Sequence, residues 1–578
     1  MKFTCAAGTP GSEPMQAGRG SDFDAPVREP GRATPAGCGL SLLSRWRCAI
    51  GWSVYIAIGV LVVAFAGAAA AQSPAPAAAT PAAVVDAGAL YATHCASCHG
   101  ADRFGLMGPA LLPESLERLR KPAAAETIAK GRAATQMAGF SPALSKAEID
   151  ALVAYVYSPP TTKPAWGEAD IRASRVVHRT RDSLPDRPSF SADPLNLFVV
   201  VEAGDHHASI LDGDRFERIA RFPTRYALHG GPKFSPDGRF VYFASRDGWI
   251  SKYDIWNLAM VAEVRAGLNT RNAAVSGDGR YVMVGNYLPH SVVVLDADLN
   301  LVKVMPAVDR EGRKSSRVSA VYDATPRRSF VVALKDIPEV WEVSYDQKAP
   351  EIPIGVIHDF QYREGAFVPG FMNVRRSVLQ DTLDDFFFTQ DYSEVMGASR
   401  EAGKGQVVHL DVRRKIADLD LPGMPHLGSG ITFVHDGRTV MATPNLKDGI
   451  VTVIDTKTWK TVKQIATNGP GFFMRSHDAT PYAWIDSMMG ARKDTLQVID
   501  KRTLAVVGEV TPSPGRTAAH IEFDRYGKHA LASVWENDGA VVVYDAATLK
   551  EVKRIPASKP VGKYNVWNKI TREAGTSH

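Results

Sequence analysis

Ser235-Pro236-Asp237-Gly238-Arg239 introduces an apolar run at 240–244, a polar break, and an alternating run at 250–254 that ends in Asp. Pro, Asp and Gly in that order specify a tight turn: Pro presets φ, Asp bonds its own backbone, and Gly accepts a positive φ. The flanking runs have the two-residue alternation and β-branched content of strands. The unit recurs. Ser276-Gly277-Asp278-Gly279-Arg280 precedes strands at 281–284 and 292–296. Later copies open near His435-Asp436-Gly437-Arg438, His477-Asp478-Ala479-Thr480 and Asp524-Arg525-Tyr526-Gly527, with closing strands at 451–455, 496–500 and 541–545. A first copy covers 197–222, and less regular ones lie near 326–353 and 384–422. Units of four short strands, each of about 35 to 40 residues, are the pattern of a β-propeller. An all-β, eight-bladed propeller over 195–570 is predicted, with seven blades if 359–385 is one insertion.

Ahead of the repeats stands Cys95-Ala96-Ser97-Cys98-His99. Cys-x-x-Cys-His is the attachment signature of a c-type haem, in which Cys95 and Cys98 form thioethers and His99 binds the iron. Leu90-Tyr91-Ala92 supplies an apolar lead-in helix, Gly108-Pro109-Ala110 a close backbone approach, and Gln136-Met137-Ala138-Gly139-Phe140 a loop before a helix that Ser145 caps. Residues 85–158 thus resemble a small all-α class I cytochrome c, with Met137 as the second axial ligand and Met107 as its rival. A thioether opposite imidazole raises the potential, which suits an electron relay.

The 578 residues allow two or three domains, with 45% hydrophobic and 22% charged residues, an ordinary globular composition. The 67 basic and 62 acidic residues give no case for nucleic acid. Residues 1–44 read as disordered or upstream of the true start. Residues 45–71, basic and then apolar with a small-residue end, read as a signal peptide or membrane anchor. Residues 72–84 and 159–194 read as linkers. Cys5, Cys38 and Cys48 lie within or before the export segment, so no disulfide is expected. The implied compartment is the periplasm, where c-type haem is attached.

From about Pro194 onward the chain resembles the haem d1 domain of the cytochrome cd1 nitrite reductase family. In Arg225-Tyr226-Ala227-Leu228-His229-Gly230-Gly231, an inter-blade link, the resemblance makes His229 the proximal ligand of haem d1. Haem d1 carries several carboxylates, which call for permanently charged, bidentate donors. Arg246, Arg271 and Arg317 occupy matching places in successive blades, Arg225 is a fourth candidate, and Tyr287 matches a family Tyr near the macrocycle. The reductases carry distal histidines where this chain has Lys335 and Ile337, so a proton source for nitrite is missing.

Leu383-Asp384-Asp385-Phe386, Gly397-Ala398-Ser399-Arg400 and Leu421-Pro422-Gly423-Met424-Pro425-His426 resemble instead the branch of dihydro-haem d1 dehydrogenases. That branch implies an oxidoreductase that takes two electrons and two protons from a propionate of the d1 precursor, leaving an acrylate, with electrons passing to haem c. His426, His477 and His520 are the candidate bases. For a distal ligand the chain offers Tyr392, Glu394 or His409. The implied partners are the haem d1 precursor, a soluble periplasmic electron acceptor and apo-nitrite reductase. The alternatives are a nitrite reductase forming nitric oxide and a non-enzymatic haem d1 carrier.

Overall fold

The computed structural model describes residues 85–117, 119–132, 136–228, 231–359, 364–399 and 404–571. The expectations for 1–84, and the His229 ligand, lie outside the described residues. No helix among the described residues is long and apolar enough to cross a membrane.

Eight antiparallel four-stranded sheets form the propeller. Numbered around the ring, blade 1 comprises 197–223 with a strand from the C-terminal end, blade 2 is 233–265, blade 3 is 269–306 and blade 4 is 318–378. Blade 5 is 385–419, blade 6 is 431–466, blade 7 is 474–510 and blade 8 is 518–557. The ring closes because Pro560–Asn565, the C-terminal strand, becomes the innermost strand of blade 1 and pairs with Leu197–Glu202, Phe198 opposite Asn565. The irregular stretch costs no blade. Ile352–Asp359 and Glu364–Val368 form a hairpin inserted between the third and fourth strands of blade 4.

Each pair of neighbouring blades buries its own apolar layer. Val284 and Val293 of blade 3 meet Val264 and Ile250 of blade 2; Trp341 and Val332 of blade 4 meet Met283 and Val292 of blade 3. The series continues to Phe198 and Leu211 of blade 1 against Leu531 and Val543 of blade 8. Strand faces therefore point at the next blade rather than at solvent, which explains the near-continuous burial along the first three strands of most blades. The Ser-x-Asp-Gly turns repeat one bond set: Ser235 Oγ donates to Asp237 Oδ1 (2.5 Å), and Ser276 Oγ to Asp278 Oδ1 (2.7 Å). Gly238 and Gly279 sit at φ 72° and 71°, where a side chain would be strained.

The N-terminal domain packs helices Ala87–His94, Lys121–Lys130 and Lys146–Val156 around Tyr91, Leu116, Leu152 and Val156. Ser145 forms the expected capping box with Glu148. The segment read as a linker at 159–194 is largely docked. Helix Glu168–Ala173 buries Ile171, and Val176–Val177 adds a fifth strand to blade 2, Val176 opposite Glu263. Its charges obscured the apolar anchors Trp166, Ile171 and Leu184.

Candidate functional site

In a blade the first strand leaves one rim and the second returns to it, so second-to-third turns and inter-blade links share a rim. First-to-second turns lie at the other end. The N-terminal domain sits on the first rim: Ala110 and Leu112 pack on Leu268 and Leu288, Arg317 Nη1 donates to Ser115 O (2.8 Å), and Gln136 Nε2 to Ala203 O (2.6 Å).

The Cys-x-x-Cys-His segment is built to hold a haem. His99 is buried, and its Nδ1 lies 2.8 Å from Pro109 O, which fixes the ring and leaves Nε2 for a metal. Gly108 lies under that ring; a Cβ there would come within 2.6 Å of His99 Cε1. Burial lowers the His99 pKa, favouring the neutral, ligating form. Cys95 and Cys98 are half-buried and unbridged, and burial and Cys98 push the Cys95 thiol up to about 11. Met137 is half-buried in the loop before Lys146–Val156, with its carbonyl accepting from Arg132 N (3.0 Å).

On the same rim, Tyr287 is ringed by cations. The guanidinium carbons of Arg246 and Arg317 lie 5.8 and 5.9 Å from its ring centroid, and Lys335 Nζ lies 5.8 Å away. Burial alone would raise its pKa, but Lys335, Arg271, Arg246 and Arg317 bring it down to about 8. Three of these cations already face carboxylates. Arg317 grips Asp336 through two bonds of 2.6 and 2.9 Å, Lys335 Nζ reaches Asp384 Oδ1 at 3.1 Å, and Arg271 Nη2 stands 3.7 Å from Asp385. Arg246 differs. No carboxylate among the described residues lies within 4 Å of it, its Nη1 is buried without a hydrogen-bond partner, and burial and Arg271 lower its pKa to about 10. Arg225 is held by Glu263 (2.8 and 3.0 Å) and stacked 3.9 Å over Trp249, so it buttresses blade 2.

Two of the three candidate bases share this end of the channel. His426 Nδ1 lies 2.9 Å from Phe472 O, and the two rings pack at 4.1 Å. His520 forms a bulge at φ 51° in the innermost strand of blade 8, which turns its ring between Phe473 (4.8 Å) and Tyr564 (5.1 Å). Its Nδ1 is buried with no hydrogen-bond partner. Burial, then Lys563, Arg475 and Lys569, hold its pKa well below the usual imidazole range. Asp486 organises both: its carboxylate accepts from Phe472 N (2.7 Å) and Phe473 N (3.0 Å), and burial pushes its pKa up to about 6.

His477 does not join them. It lies in the first-to-second turn of blade 7, at the opposite end, where its Nδ1 accepts from Ala479 N (3.0 Å) and Gly527 closes over the ring. Tyr392 and Glu394, in a first-to-second turn, and His409, at the end of a third strand, lie at that far end too. None of the three is placed to ligate a tetrapyrrole on the first rim. Asp486, Arg475, Lys563 and Lys569 went unread in the sequence, because each stands alone in a strand or in the terminal helix and carries no motif.

A cation-lined propeller rim capped by a c-type cytochrome domain defines a class of tetrapyrrole-binding redox proteins. Residues 192–569 match the cytochrome D1 heme domain and residues 82–156 match subunit III of cbb3-type cytochrome c oxidase; the chain belongs to the cytochrome D1 heme domain family. It is 58% identical to the dihydro-heme d1 dehydrogenase of Pseudomonas aeruginosa over 491 residues, covering 85% of this chain and 95% of that one. It is 25% identical to the nitrite reductase of Stutzerimonas stutzeri over 534 residues, 83% and 92% of the two chains. A solved dihydro-heme d1 dehydrogenase in complex with DHE superposes with a TM-score of 0.71 at 57% identity, over 83% of this chain and 99% of that one.

Proposed function

We propose that this chain is a haem d1-binding c-type cytochrome that oxidises dihydro-haem d1 to haem d1, turning a propionate side chain into an acrylate. The turn at 335–338 carries the choice against nitrite reduction. It presents Lys335, already engaged with Asp384, and Ile337, only 4% exposed, so no imidazole stands there to protonate a leaving oxygen.

The rim fits the substrate. Arg246 offers a buried, unmet donor to a carboxylate, with Tyr287, Arg271 and Arg317 near it, and His229 of the preceding link would hold the iron of the pigment. Cys95, Cys98, His99 and Met137 would hold haem c, which supplies a one-electron acceptor when bound. Each turnover breaks two C–H bonds, forms one C=C bond, and releases two electrons and two protons. His520 or His426 takes up a proton; the N-terminal domain excludes water by covering the rim. The electrons leave for a soluble periplasmic acceptor, and the product passes to apo-nitrite reductase.

The test is anaerobic. Dihydro-haem d1 supplied to the full chain with an excess one-electron oxidant should yield the acrylate product, with none from His229→Ala. Nitric oxide formed from nitrite and a reductant, without acrylate, would make the protein a nitrite reductase. Tight d1 binding with neither product would leave a carrier.

A further inference from the structure

The channel floor holds a set of charges that binding at the rim does not use. Arg475 and Glu522 are fully buried on the inner strands of blades 7 and 8, and Lys563 on the closing strand of blade 1; Lys569 of the terminal helix Val566–Thr571 joins them, its side chain 8% exposed. Lys569 Nζ lies 3.4 Å and Arg475 Nε 3.8 Å from Glu522 Oε2. Lys563 Nζ donates to His520 O and to Ser533 Oγ (2.9 Å). Arg475, Lys563 and Lys569 are buried cations gathered around Glu522, with Asp486 also facing Lys563, and buried charge clusters of this kind are weak stabilisers of a fold, because desolvation offsets much of what the pairing returns.

The cluster also runs in one direction. His520 and Glu522 are two residues apart on a strand running from the cytochrome-bearing rim towards the far end. The ring of Tyr564 touches His520 at 5.1 Å and lies 5.5 Å from Lys569 Nζ. Lys569 and Asn568 then line a cavity of about 630 Å³ at the far mouth, together with Lys233, Tyr322 and Tyr392. Its wall reaches the exposed Thr571.

We propose that Glu522 and Lys569 carry protons from His520 through the propeller channel to the cavity at its far mouth. The proposal rests on the dehydrogenase reading above. Two protons per turnover must reach water, and the docked N-terminal domain covers the near rim. His520 faces Lys563, Arg475 and Lys569, a field in which it accepts a proton only in passing. Lys569, facing Arg475, Glu522 and Lys233, has its pKa lowered to about 7, chiefly by burial, so its amine exchanges protons near neutrality. Waters in the cavity complete the path. Haem c, which Cys95, Cys98 and His99 would hold, would supply the route to an external one-electron oxidant on the near side, so proton and electron exits would lie at opposite ends of the channel. Glu522 and Lys569 touch no reacting atom and act through His520.

The experiment uses the full chain carrying haem c, loaded anaerobically with dihydro-haem d1 and mixed with oxidant in a stopped-flow instrument, with a pH-indicator dye reporting proton release. Lys569→Met and Glu522→Gln should bind the substrate as the parent does, yet turn over about tenfold or more slowly and with a larger solvent isotope effect. Lys569→Met should also lose the limb of the rate profile near pH 7, and Lys569→Ala should recover rate when methylamine is added. Parent-like rates and pH profiles in both variants would overturn the relay while leaving the dehydrogenase reading intact. A parent protein that forms no acrylate overturns both. If Glu522→Gln does not fold, Lys569→Ala with and without methylamine decides the matter alone.

Discussion

Arg246→Met should move stability and binding in opposite directions. Arg246 is buried beside Tyr287, with which it hydrogen-bonds, has no carboxylate within reach among the described residues, and leaves Nη1 without an acceptor. A buried donor left unmet costs roughly 1–3 kcal/mol, and more when charged. Met nearly matches the volume of the stem, so the substrate-free protein should be at least as stable, gaining up to about 3 kcal/mol at the midpoint of urea unfolding. A hydrogen bond to a charged group is worth about 1.5–3 kcal/mol, so losing one to a substrate carboxylate should weaken binding by about 10- to 160-fold. Titration of the apo protein with dihydro-haem d1, followed by absorbance, measures the second effect. A destabilised apo protein with unchanged affinity would refute the reasoning, because Arg246 would then be a structural group and not a donor held ready for an anion.

Gly108→Ala should abolish normal haem c ligation, since a Cβ would sit 2.6 Å from the His99 ring; the reduced absorption spectrum of the c haem reads this directly. Arg317→Met strips Asp336 of its guanidinium and the N-terminal domain of its bond through Ser115 O, and should cost about 3–5 kcal/mol, with faster proteolysis of the segment joining the two domains. Asp486 has its pKa raised from 3.8 to about 6, so its contribution is fully present below about pH 4 and is lost as pH rises through 6. Urea unfolding of the parent against Asp486→Asn between pH 4 and 7 should therefore show a difference that changes by on the order of 3 kcal/mol.

The blades were legible because each turn repeats the same chemistry: Ser, Asp and Gly at 235–238 and again at 276–279 make the same bonds at the same offsets. The haem c segment was legible because covalent attachment demands its spacing. The strand at 560–565 was not singled out, since its partner lies some 360 residues upstream and no local turn announces it. Strand alternation identifies a face but not an end, which is why His477 looked equivalent to His426 and His520. Only the sense of the strand separates a residue entering the channel at the cytochrome side from one leaving at the other. Arg246, Arg271 and Arg317 read as an anion site; Arg271 and Arg317 each have an acid near them in the fold, Asp385 and Asp336, leaving Arg246 with the unmet donor.

The zipper that joins the last strand to the first blade has a consequence for how the molecule matures. Contacts so distant along the chain are among the slowest to form, because a long loop must be ordered before any bond rewards it. Until residues 560–565 have been made and docked, the barrel is an open arc, His520 has no Tyr564 beside it, and the terminal helix has not reached the floor. A pigment arriving early would find no finished cup, so the complete polypeptide itself acts as the checkpoint for loading.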